Sequence, residues 1–242
     1  MGLIRNRTRK LFSKLGYGVT KYPHPRDRRK LNQFKLKKID LILDIGANKG
    51  QFADYIRGIG FEGDIISFEP LRTEFEILKN AADSDPKWEC ENFAFGDFDG
   101  TAEINIANNS SSSSLMNMSE SHILGAPGSF FVDKQNIEVK RLDTYLSQTK
   151  VIENKNTFVK IDVQGFERKV IDGASDYLKK FTGIQLELSF IELYEGETTF
   201  GEFLEIMKQN NYFPAFIEPC LIDSRTGKLL QVDVMFFNST VN

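Results

Sequence analysis

One segment, LILDIGANKGQF at residues 41–52, restricts the possible folds more than any other. Four apolar residues surround a single acid, Asp44, and the run ends in a turn containing Gly46 and Gly50. Phe52, Tyr55, Ile56 and Ile59 then recur at helical spacing. A short apolar strand, a glycine turn and a helix form the first half of a βαβ unit, the building block of a parallel sheet. A carboxylate inside such a strand is costly to bury unless something uses it. Ligands bind beyond the carboxyl ends of strands in these sheets, near the point where strand order reverses.

The rest of the chain continues the alternation. GDIISFEP reads as a second strand followed by a helix over about 72–82, and WECENFAFGD and TAEINIA read as two further strands. QNIEVKRL, TFVKIDV and TGIQLELSF read as later strands, with helices expected over about 166–180 and 199–210 and closing segments at 212–218 and 228–238. A chain of 242 residues suits one such domain, assigned to residues 39–242. The formal net charge of −3 hides an asymmetry: residues 1–38 carry a balance of +12 and the remainder −15. An acidic body of this kind is ill suited to gripping nucleic acid.

Within the basic arm, residues 3–15 place Ile4, Leu11, Phe12 and Leu15 on one helical face with Arg and Lys around them. This pattern fits peripheral contact with an anionic membrane, and equally a helix packing on the body or on a second subunit of a homo-oligomer. Residues 16–38, with Pro23 and Pro25, read as a connecting segment. No apolar run has the length of a membrane span, and no secretory signal is visible. Cys90 and Cys220 lack metal-like spacing and read as free thiols in a reducing cytoplasm.

Glu69 ends the second strand, placed so that its carboxylate can accept hydrogen bonds from both hydroxyls of a ribose. A nicotinamide-binding turn would read G-x-G-x-x-G, but here Asn48 stands where the second glycine belongs. The D-x-G-x-N-x-G pattern with a strand-end Glu instead resembles the S-adenosylmethionine site of class I methyltransferases. DIGANKGQF, SFEP, the run Ser110–Ser114, RLDTYL and VKIDVQGFERKVIDGA resemble, in that order, the FkbM-type methyltransferase family over about residues 39–238. The resemblance implies a Rossmann-like α/β fold: a mainly parallel sheet with helices on both faces and a C-terminal antiparallel strand. It also implies O-methylation with S-adenosylmethionine as cofactor and a sugar or glycan hydroxyl as acceptor; a cytoplasmic position with peripheral contact at the inner membrane face through residues 3–15 would suit a lipid-linked acceptor.

On this reading Asp44, Gly46, Asn48, Gly50 and Glu69 hold the cofactor, and Ala94, Gly96 and Asp97 flank its adenine. Asp162, at a strand end, is the leading general-base candidate, with capping of the following helix as the competing role. Glu187 on the neighbouring strand and His122, just after the serine run, are the other catalytic candidates. Lys160 would share a sheet face with Asp162 and pair with it. The polar region 108–131 reads as a loop over the site. Gln164 departs from the Glu found in many relatives, which argues against a catalytic role there. No cluster has metal-ligand spacing, so no metal is expected. A nicotinamide oxidoreductase and a non-catalytic nucleoside-binding scaffold in glycan assembly are the rival readings.

Overall fold

A computed structural model describes residues 12–17 and 22–240. Its larger sheet has seven strands: β1 (Leu41–Ile45), β2 (Asp64–Phe68), β3 (Trp88–Glu91), β7 (Thr157–Ile161), β8 (Gly183–Ser189), β9 (Tyr212–Ile222) and β10 (Leu229–Asn238). Their order is β3-β2-β1-β7-β8-β10-β9. The strands from β3 to β8 are mutually parallel, while β10 runs antiparallel to both of its neighbours. Strand order reverses between β1 and β7, so the carboxyl ends of these two strands open the switch-point crevice.

Alternate residues of the central strands feed two separate cores. Leu41, Leu43, Val159 and Ile161 pack with helices α5 (Leu142–Thr149), α6 (Glu167–Asp172) and α7 (Phe200–Gln209). Ile42, Ile65 and Phe158 face the other way, onto α1 (Pro25–Leu36), α2 (Gln51–Ile59) and α3 (Arg72–Ala82). A short helix, α4 (Glu120–Gly125), lies in the polar region that follows the serine run. This two-sided burial explains why the strands read as continuous apolar runs. Among the described residues, no helix is long and apolar enough to cross a membrane.

Three expectations change. Residues 25–36 form a helix, not a linker. Pro25 sits in its first turn, where the missing N–H costs nothing, and Phe34 is buried with its ring 4.8 Å from that of Phe158. WECENFAFGD divides between two sheets: β3 extends the large one, while β4 (Ala94–Gly96) joins β5 (Gly100–Ala107) and β6 (Phe131–Arg141) in the order β4-β6-β5. The helix expected over 166–180 stops at Asp172. Gly173 lies so close to β4 that an added Cβ would stand 1.9 Å from the Gly96 carbonyl oxygen, and the chain resumes only as a short 3-10 turn at Leu178–Lys180. Residues 3–11 of the expected basic helix lie outside the described residues; in the part described, Phe12, Leu15 and Tyr17 are exposed.

Candidate active site

Glu69, Asp162 and Glu187 line a cavity of about 640 Å³ at the carboxyl edge of β2, β1, β7 and β8. Glu69, just past β2, is 5% exposed and accepts backbone N–H bonds from Asn48 and Leu71, each 2.8 Å. One bond falls on each carboxylate oxygen, which leaves a lone pair on each for a ligand hydroxyl. Burial pushes the Glu69 carboxyl up to about 7, against the pull of those two backbone donors.

The glycine turn works differently from the expectation. Its amides are not offered to a ligand: those of Gly46 and Ala47 both donate to the Phe68 carbonyl at 3.0 Å, and that of Gly50 donates to Ala47. The first turn thus straps β1 onto β2. What Gly46 contributes is clearance. It has a φ of +75°, and a Cβ there would lie 1.9 Å from the Asp162 carbonyl oxygen. Gly50, at φ +91°, meets the Trp88 ring instead of the cavity. Unpaired helix N–H groups begin only with α2, whose Gln51 and Phe52 do line the cavity.

Asp44 is also relocated. It is fully buried and absent from the cavity wall. Across the sheet it stands between Ser67 on β2 and Lys160 on β7, accepting from the Ser67 hydroxyl at 3.2 Å and pairing with the Lys160 ammonium at 3.3 Å. Burial raises the Asp44 carboxyl, and Lys160 opposes that rise. Burial alone would depress Lys160, but Asp162 at 3.4 Å and Asp44 together hold its ammonium above the ordinary lysine range. The expected Lys160–Asp162 pair is therefore present, with Asp44 as a concealed third member. The acid in the opening segment anchors a cavity-lining lysine and does not itself line the cavity.

Asp162 and Glu187 both face the cavity and are joined by one side chain: the Gln164 amide nitrogen donates to Asp162 at 2.9 Å and to Glu187 at 2.6 Å. Burial, then the Asp162 and Asp233 charges, raise Glu187 well above the ordinary glutamate range. Glu167, not Asp162, binds the backbone ahead of the next helix, accepting from the Val163 N–H at 2.9 Å. The serine run does cover the site: Ser110, Ser111 and Ser113 line it, and the Asn48 amide donates to Ser110 at 3.1 Å.

Ala94 lines the cavity, but Gly96 and Asp97 do not. Asp97 lies on the surface of the small sheet, 2.8 Å from the Lys169 ammonium, because β4 leaves the main sheet before reaching that point. His122, on α4, is not at the cavity either. It is buried, with both ring nitrogens unpartnered, edge-on to the Tyr194 ring. Burial depresses its imidazole, as expected for a neutral packed ring and not for a base in reach of a ligand.

Four charged wall residues escaped the sequence reading: Arg26 and Lys30 from α1, Glu218 from β9 and Asp233 from β10. Arg26 and Lys30 pair with Glu218 at 2.6 and 3.7 Å. Asp233 lies in an apolar run, QVDVMFF, and carries the same signal as Asp44, an acid where packing alone would not place one. The basic residues of α1 gave no comparable signal. Among the described residues Glu187, Cys220 and Asp233 bring a carboxylate oxygen, a thiol sulfur and a second carboxylate oxygen within 4.8 Å of one another, a grouping that spacing along the chain did not reveal.

Fold and site together define a doubly wound α/β protein with its ligand cavity at the switch point, an acid placed for a ribose and a glycine turn holding the strand ends together. The chain belongs to the methyltransferase FkbM domain family, which it matches over residues 44–214. It is 27% identical over 180 residues to the 2-O-methyltransferase NoeI of Sinorhizobium fredii, covering 71% of this chain and 73% of that protein. Among solved structures it is similar to the FkbM methyltransferase of Methylobacillus flagellatus, with TM-score 0.48 and 14% identity over 82% of this chain. The chain spans 44% of that protein's length. It is also similar to a putative S-adenosylmethionine-dependent methyltransferase of Listeria monocytogenes, with TM-score 0.49 and 6% identity over 88% of this chain and 98% of the other.

Family membership makes S-adenosylmethionine the cofactor, and the residues fit it. Glu69 keeps an open lone pair on each oxygen that would accept from a ribose, and Leu71, Ala94, Phe95 and Ile104 would give an adenine an apolar wall beside it.

Proposed function

We propose that this protein is an S-adenosylmethionine-dependent O-methyltransferase acting on a sugar hydroxyl of a glycan or glycolipid precursor. The observation that carries the reading is the continuity of the cavity. One end holds Glu69 and the apolar adenine wall, and the other holds Asp162, Glu187, Lys30, Glu218 and Asp233. Charged donors and acceptors at the second end suit a hydroxylated acceptor better than an apolar one. The Sinorhizobium relative is a 2-O-methyltransferase, which supports oxygen as the receiving atom.

When bound, S-adenosylmethionine supplies a methyl group on a sulfonium sulfur. The protein's part is to hold the acceptor hydroxyl in line and to give its proton a destination. Asp162 suits the role of proton acceptor, because it faces the cavity, its side chain is 33% exposed, and Lys160 is 3.4 Å away. The burial of Asp44 supports a second role for the same residue. With Asp44 hidden behind Lys160, Asp162, whose backbone carbonyl lies against Gly46, is a cavity carboxylate that can instead receive the cofactor's ammonium. A peripheral position at the inner membrane face, through the basic arm, fits a lipid-linked acceptor.

The test combines labelled S-adenosylmethionine with envelope glycan and glycolipid fractions, followed by hydrolysis and mass identification of the methylated product. Label in O-methyl sugars supports the proposal; label confined to nitrogen or to non-carbohydrate products refutes it. Single-turnover rates in Asp162→Asn then separate the two roles. A base predicts a loss of about 10²–10⁴-fold with affinity for S-adenosylhomocysteine retained. An ammonium partner predicts that the affinity itself falls.

A further inference from the structure

Gln164 is held in an unusual state for a non-glycine residue. Its φ is +56°, in the left-handed region that side chains other than Asn and Asp seldom adopt. Such backbone persists where surrounding contacts over-determine it, and it concentrates at functional sites. Here the contacts are explicit. The buried Ser114 hydroxyl, from the end of the serine run, donates to the Gln164 carbonyl at 2.6 Å. The Tyr194 hydroxyl, on a fully buried ring, donates to the Gln164 side-chain oxygen at 2.9 Å. The two carboxylates at the other end of the amide, Asp162 and Glu187, accept, which assigns that end as the nitrogen, with one hydrogen directed at each.

We infer that Gln164 is a positioning residue: it holds the Asp162 and Glu187 carboxylates apart as an oriented pair facing the acceptor, and Tyr194 and Ser114 lock it from the side of the serine loop. The consequence for catalysis rests on the methyl-transfer reading above; the geometry of the pair does not. Two carboxyl groups this close repel when both are ionised, so one of them holds its proton to higher pH. An amide opposes that rise because it donates to both and accepts a proton from neither. A glutamate at the same position would bring a third carboxyl to the cluster. Tyr194 couples the arrangement to the loop, since its hydroxyl also lies 3.3 Å from the Ser112 carbonyl.

Glu187 reports on this lock. The groups that face it are Lys160 from β7 and Asp162 just past it, Glu167 from α6, Asp233 from β10, Cys220 from β9 and Tyr194 from the segment that follows β8. Gln231 on β10 gives it a second amide donor at 2.9 Å, independent of Gln164.

The test uses the full chain saturated with S-adenosylhomocysteine and labelled with ¹³C at glutamate carboxyls, with the Glu187 signal followed by NMR against pH. Removing a donor to the ionised form raises a carboxyl's midpoint, so Gln164→Leu should move Glu187 upward by about one pH unit. Tyr194→Phe should move it less, in the same direction. Gln164→Glu keeps the size of the side chain and covers the case in which the leucine variant does not fold; its added carboxyl should also move Glu187 upward. Once an acceptor is in hand, the acid limb of the pH–rate profile should move upward with the NMR midpoint. Unmoved Glu187 titration in both Gln164 variants overturns the inference, as does a rate loss equal at every pH. If Glu187 shifts as stated while the wild type methylates no acceptor, the positioning role stands and the proposed function falls.

Discussion

Glu69→Gln tests the cofactor site most sharply, because the substitution keeps shape and removes both charge and one acceptor. In the wild type each carboxylate oxygen receives one backbone N–H, from Asn48 and from Leu71, both at 2.8 Å. A glutamine can satisfy only one of them, and its NH₂ must face the other donor. An unpaired buried donor costs about 1–3 kcal/mol, or about fivefold to 150-fold where the loss appears in ligand affinity. The charge adds a pH signature. Burial raises the free Glu69 carboxyl to about 7, and a ribose is best held by the ionised form with both oxygens accepting. Affinity for S-adenosylhomocysteine should therefore be full above pH 7 and decline below it. One unit under the midpoint about a tenth of the sites remain ionised, which gives roughly tenfold weaker binding. Calorimetry across pH 5.5–8.5, a range of about three units around that midpoint, should show this slope in the wild type and its absence in Glu69→Gln. A flat wild-type curve with equal affinity in the variant would remove Glu69 from the site and the reasoning with it.

Lys160→Met leaves Asp44 fully buried without its counter-charge, and should destabilise the protein by about 3–5 kcal/mol; denaturant melts check this, and Asp44→Asn in the same chain should recover part of the loss. Gly46→Ala places a Cβ 1.9 Å from the Asp162 carbonyl at a φ of +75°, so S-adenosylhomocysteine binding should disappear in calorimetry; retained affinity would show that the two strand ends can move apart. Phe34→Ala should cost about 3–5 kcal/mol in a thermal or denaturant melt, since its ring is 2% exposed against Phe158 and Phe61. Deleting residues 1–15 instead should leave that stability intact and weaken sedimentation with anionic vesicles, most visibly at low salt; unchanged sedimentation would assign the arm to protein contacts.

The order of strands and helices was written in the sequence because each element's burial repeats locally, at a period of two or 3.6 residues, or as an unbroken apolar run where both faces are covered. The strand-end acids were legible for a related reason: Asp44, Glu69 and Asp162 interrupt or terminate apolar runs, and no packing argument accounts for them. Which of those acids meets a ligand was not legible. Asp44 disappears behind Lys160 and Ser67, residues 116 and 23 positions away that become its neighbours only through the register of β7 and β2. Gln164 shows the same limit, since its meaning comes from Tyr194, Ser114 and Glu187, none of them adjacent to it in the chain. The α1 helix was hidden too, because its apolar contact with the body is small, chiefly Phe34 with Leu31 beside it, and much of its attachment comes from Asp27, Arg26 and Lys30, whose partners Tyr55 and Glu218 lie far along the chain. A chain announces locally what must be buried, because burial of a side chain has a periodic signature. It does not announce which charges will face one another, because that pairing is set by sheet register and by the depth of each group beneath its neighbours.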